Sequence, residues 1–214
     1  MNTIQLEKLL INIAKEKITT IDPSHDYFHS LRVLANAEQI AENEKADLEI
    51  VIPAALFHDI ITYPKNDPRS KTAQHESALL AAEILMNISE FPQNKIEKVM
   101  NAIELCSFSK GITPNDLEAQ ILQDADGLEA TGAISIMRTF CSTGQMNRPF
   151  YNADDPFCES REPADMEYAI DLFFTRLLKV SERMHTNYAM KIAENRTKFL
   201  RNFLEELRLE LEGK

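Results

Sequence analysis

Cysteine and glycine are scarce in this 214-residue chain, at three and five, and no apolar run is long enough to cross a bilayer. The cysteines (Cys106, Cys141 and Cys158) are odd in number and form no C-x-x-C. That excludes a disulfide framework and predicts reduced thiols in a reducing, cytoplasmic compartment. Few glycines and few β-branched runs, beside abundant Leu, Ala, Glu and Lys, disfavour sheet and favour helix. The first twenty residues are charged and amphipathic, so no signal peptide is expected. Positive charge is also in short supply: 23 Lys and Arg face 34 Asp and Glu, for a net charge of -11. Such a surface repels nucleic-acid backbones and anionic membranes, which excludes a nucleic-acid platform and a membrane-surface role. A local pocket for a small phosphate remains compatible with it.

The apolar pattern that is present has helical period. "IQLEKLLINIAKEKI" places Leu6, Leu9, Leu10 and Ile13 on one stripe, predicting a helix over residues 4–18. Ser24 is the expected N-cap of a second helix whose buried face is Leu31, Leu34, Ala37, Ile40 and Ala41. "DLEIVIPAALFHDII" is capped by Asp47 and apolar all round, which marks a central helix packed on every side. Pro53 bends it or opens it, and Pro64 ends it. "HESALLAAEILMNI" and "PQNKIEKVMNAIELCSF" read as helices. Thr113 is the expected cap of another, with Pro114 at its first position. "LEAQILQDADGLEATGAISIMRTF" reads as helix with a break at Gly127 or Gly132. Residues 142–163 carry three prolines and no periodicity, which predicts a lid or a strap. Two amphipathic helices close the chain, one over 164–185 and one ending in Phe199, Phe203, Leu207 and Leu211. No composition shift marks a boundary. The expectation is one all-α domain, 1–214, wrapped around the central helix.

Five histidines are few, and their placement is not random. His25, His29, Arg32 and Asn36 fall at i, i+4, i+7 and i+11, one polar stripe that faces either water or a site. His58 and Asp59 stand side by side in an apolar helix, where an unpaired carboxylate is far too costly to bury. A salt bridge, a hydrogen-bonded network or a metal would each satisfy it. "ILQDADGLEATGA" then places Gln123, Asp124, Asp126 and Glu129 among apolar neighbours. Three helices thus offer inward-looking ligand atoms: His29, then His58 and Asp59, then Asp126. Two neutral imidazoles and two carboxylates suit Mn, Fe, Ni, Zn or Mg without choosing among them. Their charge of minus two is cancelled by one divalent ion, leaving a site able to accept an anionic phosphate.

The ordered blocks "HDYFHSLRV", "AALFHDI", "HESALLAAEIL", "FSKGITPNDLEAQILQDADGLEATGAI" and "TNYAMKIAENR" resemble the HD-domain phosphohydrolase superfamily, in particular a subfamily of small bacterial HD proteins, over residues 25–205. The resemblance implies an all-α HD bundle and one divalent ion. His29, His58, Asp59 and Asp126 take the family's metal-ligand positions. It implies hydrolysis of a phosphate ester of a small substrate, a nucleotide above all, by attack of metal-bound water that Asp59 or a nearby carboxylate orients. Around that core, His25, Arg32, His75, Glu76, Glu129 and Lys110 are candidates for substrate binding or for holding the ligands, and Arg69 and Lys71 for holding phosphate. The chain departs from the subfamily pattern at Cys106, at Gly127 and Glu129 of "DADGLEA", and at Leu172. The Cys106 departure favours a single ion. "IITYP" and Thr62 replace acidic residues of the guanosine tetraphosphate hydrolase and nucleotidase branches, against a guanosine tetraphosphate substrate. The departures at Cys106, Gly127 and Leu172 also motivate an alternative, a catalytically weak or inactive HD module that binds a nucleotide or a protein.

Overall fold

The computed structural model describes residues 2–214 other than Ile21, Pro23, Ser24, Lys65, Asn66 and 108–110. Among the described residues the regular structure is all helix. The chain divides into two compact units, residues 1–126 and 127–214.

The first unit is built on α3 (Leu48–Phe57), in which every side chain from Ile50 to Phe57 is buried. Around it pack α1 (Thr3–Lys17), α2 (Tyr27–Glu44), α4 (Ala73–Met86) and α5 (Ile96–Glu104). α6 (Leu117–Gly127) ends this unit. The all-round apolar character of "IVIPAALF" has its physical cause here: a helix with four neighbours has no side left for water. Asp47 caps α3 by accepting from the Glu49 N–H at 3.0 Å, and Lys95 ties both acids in place at 2.5 and 2.6 Å. Pro53 lies inside the helix rather than at its start. α3 stops at Phe57, well short of Pro64, and His58 serves as its C-cap. α6 begins at Leu117, not at Pro114; the Pro114 carbonyl instead accepts the Gln120 side chain at 2.9 Å. On α2 the buried face is His29, Ser30, Val33, Leu34, Ala37, Ile40 and Ala41, so the histidine stripe turns inward at His29, and Leu31 is only half-buried.

In the second unit α7 (Gly132–Gln145), α8 (Asp171–Thr175) and α9 (Asn187–Leu211) surround a core of Ile170, Phe173, Leu177, Leu200 and Leu204. The chain breaks at both expected glycines: α6 ends at Gly127, and Gly132 opens α7 at φ +78°. A Cβ at Gly132 would lie 3.1 Å from the Arg196 Cγ, and the Arg196 guanidinium donates to the Leu128 carbonyl at 2.7 Å. Gly132→Ala is expected to cost about 2 kcal/mol, from left-handed strain and this crowding together, measured by urea unfolding.

The single helix expected over 164–185 does not form. The structure has instead the five-residue α8 and a 3₁₀ stretch, Leu177–Arg183. The competing interaction is Asp171, fully buried, whose carboxylate accepts two hydrogen bonds from Arg161 and one from the Ala164 N–H at 2.7 Å. That carboxylate holds residues 161–164 in place as a strap. Cys158, at φ +56°, donates its thiol to the same carboxylate, and burial first, then Asp171, pushes that thiol up to about 11. All three cysteines are free. In α9 the buried residues are Ala189, Ala193, Thr197, Leu200 and Leu204; Phe199 and Leu211 are exposed, contrary to the expected core stripe.

Candidate metal centre

The first turn of α2 is set by Asp26, whose carboxylate accepts from the His29 N–H at 2.8 Å. The expected cap, Ser24, lies outside the described residues. Asp26 holds His29 where its ring is wholly enclosed. At the end of α3 the chain turns so that the His58 Nδ1 meets the Ala55 carbonyl at 2.8 Å. A carbonyl only accepts, so Nδ1 carries a proton, and in the neutral ring that binds a metal Nε2 is the atom with the lone pair. That lone pair points at the His29 Nε2, 3.2 Å away.

Two carboxylates join them. Asp59 Oδ2 lies 3.6 Å from the His58 Nε2 and 3.7 Å from the His29 Nε2. Asp126 Oδ1, from the last turn of α6, lies 3.5 Å from the His29 Nε2. These separations are too long for strong hydrogen bonds. They are close to the edges of a coordination shell, since bonds of about 2.0–2.1 Å give ligand–ligand edges of roughly 3.0–3.4 Å. The lone-pair nitrogen of His58 aimed at a second imidazole, with two oxygens beside it, fits a divalent cation. Two overlapping sets, His29/His58/Asp126 and His25/His29/Asp59, each have donor atoms within 4.8 Å of one another and could hold a metal.

His25 adds a direct contact: its Nδ1 is 2.7 Å from Asp59 Oδ2, and its ring packs edge-on against His29. Burial opposes ionisation of Asp59, but His58, the His25 hydrogen bond and His29 outweigh it, and the carboxyl is held well below the usual carboxylate range. Asn36, farther along the stripe, donates to the Ala125 carbonyl at 3.3 Å and so fastens α2 to the turn that carries Asp126. Arg32, half-buried, lies on the same stripe.

The other candidates belong to neither donor set. His75 is exposed and pairs with Glu104 at 2.8 Å, joining α4 to α5. Glu76 accepts from the Thr72 and Tyr63 hydroxyls, both at 2.6 Å, and these bonds lower its carboxyl in that order. Arg69 is paired with Asp67 at 2.7 Å and lies over the Tyr63 ring. Lys71 is exposed. Glu129 is buried within residues 127–214, where its charge raises the pKa of Arg196 against the larger effect of burial. Lys110 lies outside the described residues. Gln123 is not near-site acid chemistry but a clamp, its amide donating to the Leu105 and Ile112 carbonyls. Cys106 is buried and belongs to neither donor set. Sequence reasoning assigned no role to Ser77, whose hydroxyl bonds both backbone groups of Ile61; a lone serine in an alanine-rich helix carried no signal.

Residues 26–131 match the HD domain family. The chain is 31% identical to Bacillus subtilis YpgQ over 202 residues, 92% of this chain and 89% of that protein. A crystal structure of YpgQ in complex with ADP superposes with a TM-score of 0.73 at 26% identity, covering 98% of this chain and 97% of that one. Listeria innocua Lin1889 superposes with a TM-score of 0.75 at 27% identity, covering 99% and 98%. An HD-superfamily hydrolase from Bacillus thuringiensis gives 0.73 at 26%, covering both chains fully, 100% and 100%. The chain belongs to the HD-domain phosphohydrolase family, a class of metal-dependent hydrolases. Among the described residues no helix is long and apolar enough to cross a membrane.

Proposed function

We propose that this protein hydrolyses a phosphate bond of a nucleotide, using one divalent cation held by His29, His58, Asp59 and Asp126. The observation that carries the reading is the approach of two imidazole nitrogens, 3.2 Å apart, with Asp59 Oδ2 within 3.7 Å of both and Asp126 Oδ1 3.5 Å from that of His29. The ADP complex of YpgQ supports a nucleoside phosphate as ligand. A divalent cation supplies Lewis acidity toward phosphoryl oxygens and acidifies water. The protein's own part is positional. The Ala55 carbonyl keeps the His58 Nε2 lone pair facing inward. His25 holds Asp59 by one oxygen, and the ionised Asp59 orients a water as a hydrogen-bond acceptor. Arg32, on the His25–His29 stripe, provides positive charge for a phosphate entering along that side.

The test is a panel of nucleoside mono-, di- and triphosphates assayed with Mn²⁺, Mg²⁺, Fe²⁺ or Ni²⁺. Release of phosphate or pyrophosphate is expected with at least one ion and is abolished by a chelator. Tight nucleotide binding with no turnover under any ion would overturn hydrolysis in favour of a binding module.

A further inference from the structure

We propose that Ser77 is a positioning residue for the metal centre, holding the segment that carries Asp59 through its hydroxyl. The inference rests on Asp59 being a ligand. α3 ends at Phe57, so Asp59 stands on chain that has left the helix and must be held from elsewhere. On one side the Ile60 N–H reaches the Phe57 carbonyl at 3.2 Å. On the other, Ile61 is gripped through both its backbone groups: its N–H donates to the Ser77 Oγ at 3.1 Å, and that hydroxyl donates back to the Ile61 carbonyl at 3.3 Å. Ser77 is wholly buried. The adjoining Glu76 accepts the Tyr63 hydroxyl at 2.6 Å, so neighbouring residues of α4 grip the same segment at two points.

Packing alone does not call for this hydroxyl. Ala78, Ala81 and Ala82 fill the buried side of the same helix without a polar atom. Removing the hydroxyl leaves the N–H and the carbonyl of half-buried Ile61 without that partner, and groups so released move toward new partners or water. Asp59 is two residues away and moves with them. A ligand carboxylate that must be found rather than preset binds its ion more weakly.

The experiment is titration calorimetry of the full chain with Mn²⁺ at 10 °C, with folding checked by circular dichroism. Ser77→Ala is expected to raise the Mn²⁺ Kd about 10- to 100-fold. Ser77→Cys, which keeps the shape at a slightly larger volume while weakening both hydrogen bonds, is expected to fall between it and the parent. Leu10→Ala opens a cavity in α1 and lowers Tm at least as much, yet is expected to keep the Kd within about 3-fold of the parent. Retention of parental affinity in both Ser77 variants overturns the proposal. So does an equal loss in Leu10→Ala, which would reduce the effect to global stability. If the parent itself binds no Mn²⁺, the metal reading under Proposed function fails first, and this inference with it.

Discussion

Asp59→Ala, purified from metal-replete medium, is expected to carry no stoichiometric divalent cation. It is expected to release phosphate from nucleotides about 10³-fold more slowly than the parent, or more, equivalent to about 4 kcal/mol of transition-state stabilisation. The reason is threefold. The substitution removes one of two negative charges from the donor set. It removes the carboxylate oxygen that lies 3.6 Å from the His58 Nε2 and 3.7 Å from the His29 Nε2. It also strips His25 of the partner its Nδ1 meets at 2.7 Å. Asp59→Asn separates these effects: it keeps the shape and a hydrogen-bonding oxygen but loses the charge, and a loss of cation as complete as in the alanine variant assigns the effect to charge. Elemental analysis and turnover on one sample decide the matter. His75→Ala is the contrast, since its partner is the exposed Glu104, and turnover close to the parent's is expected. Unchanged metal content in Asp59→Ala would remove the basis for the proposed centre.

The second large effect concerns stability and the other unit. Asp171→Asn is expected to cost about 3 kcal/mol, because it leaves the Arg161 guanidinium facing a neutral amide. That is the lower part of the range for a broken buried pair, since Arg161 keeps 21% exposure while Asp171 has none. For a chain of this length the loss lowers Tm by roughly 6–12 °C. The effect carries a pH signature. Burial works against the Asp171 charge, but Arg161, the Ala164 N–H and Cys158 more than offset it and hold the carboxyl below its usual range. A carboxyl with a depressed folded value stabilises the fold above its unfolded value of about 3.9 and loses that contribution as pH falls toward the folded value. The difference between parent and Asp171→Asn should therefore be full near neutrality and shrink below about pH 4. Denaturant unfolding across that interval measures it; a difference independent of pH would assign the loss to packing.

Much of the first unit was legible because its signals are local. The all-round apolar "IVIPAALF" can only be a buried helix, and an aspartate beside a histidine at its end needs a partner wherever the chain goes next. The proposed donors His29, His58, Asp59 and Asp126 could be named from residue type and order. What spacing could not supply is the tautomer of His58, which depends on a carbonyl three residues back in the turned chain. Nor could it supply the inward turn of His29, since i and i+4 histidines look alike on water and in a core. The second unit was harder. "MEYAIDLFFTRLLKV" has helical period, yet a buried Asp171 with three hydrogen-bonding partners, Arg161, Ala164 and Cys158, outcompetes the helix. Periodicity records burial, and here burial was achieved with a different backbone. Ser77 escaped notice because its partner is a peptide group, and peptide groups leave no mark in side-chain patterns.

The proposed ligands also stand at helix ends. His58 is the C-cap of α3, and Asp126 occupies the last turn of α6, so the negative ends of two helix dipoles bring fractional negative charge to the neighbourhood of two full ones. The backbone itself thereby attracts cations, over and above any side chain. Neutralising one carboxylate weakens this attraction without reversing its sign, while an anion arriving without a cation meets a region that rejects it.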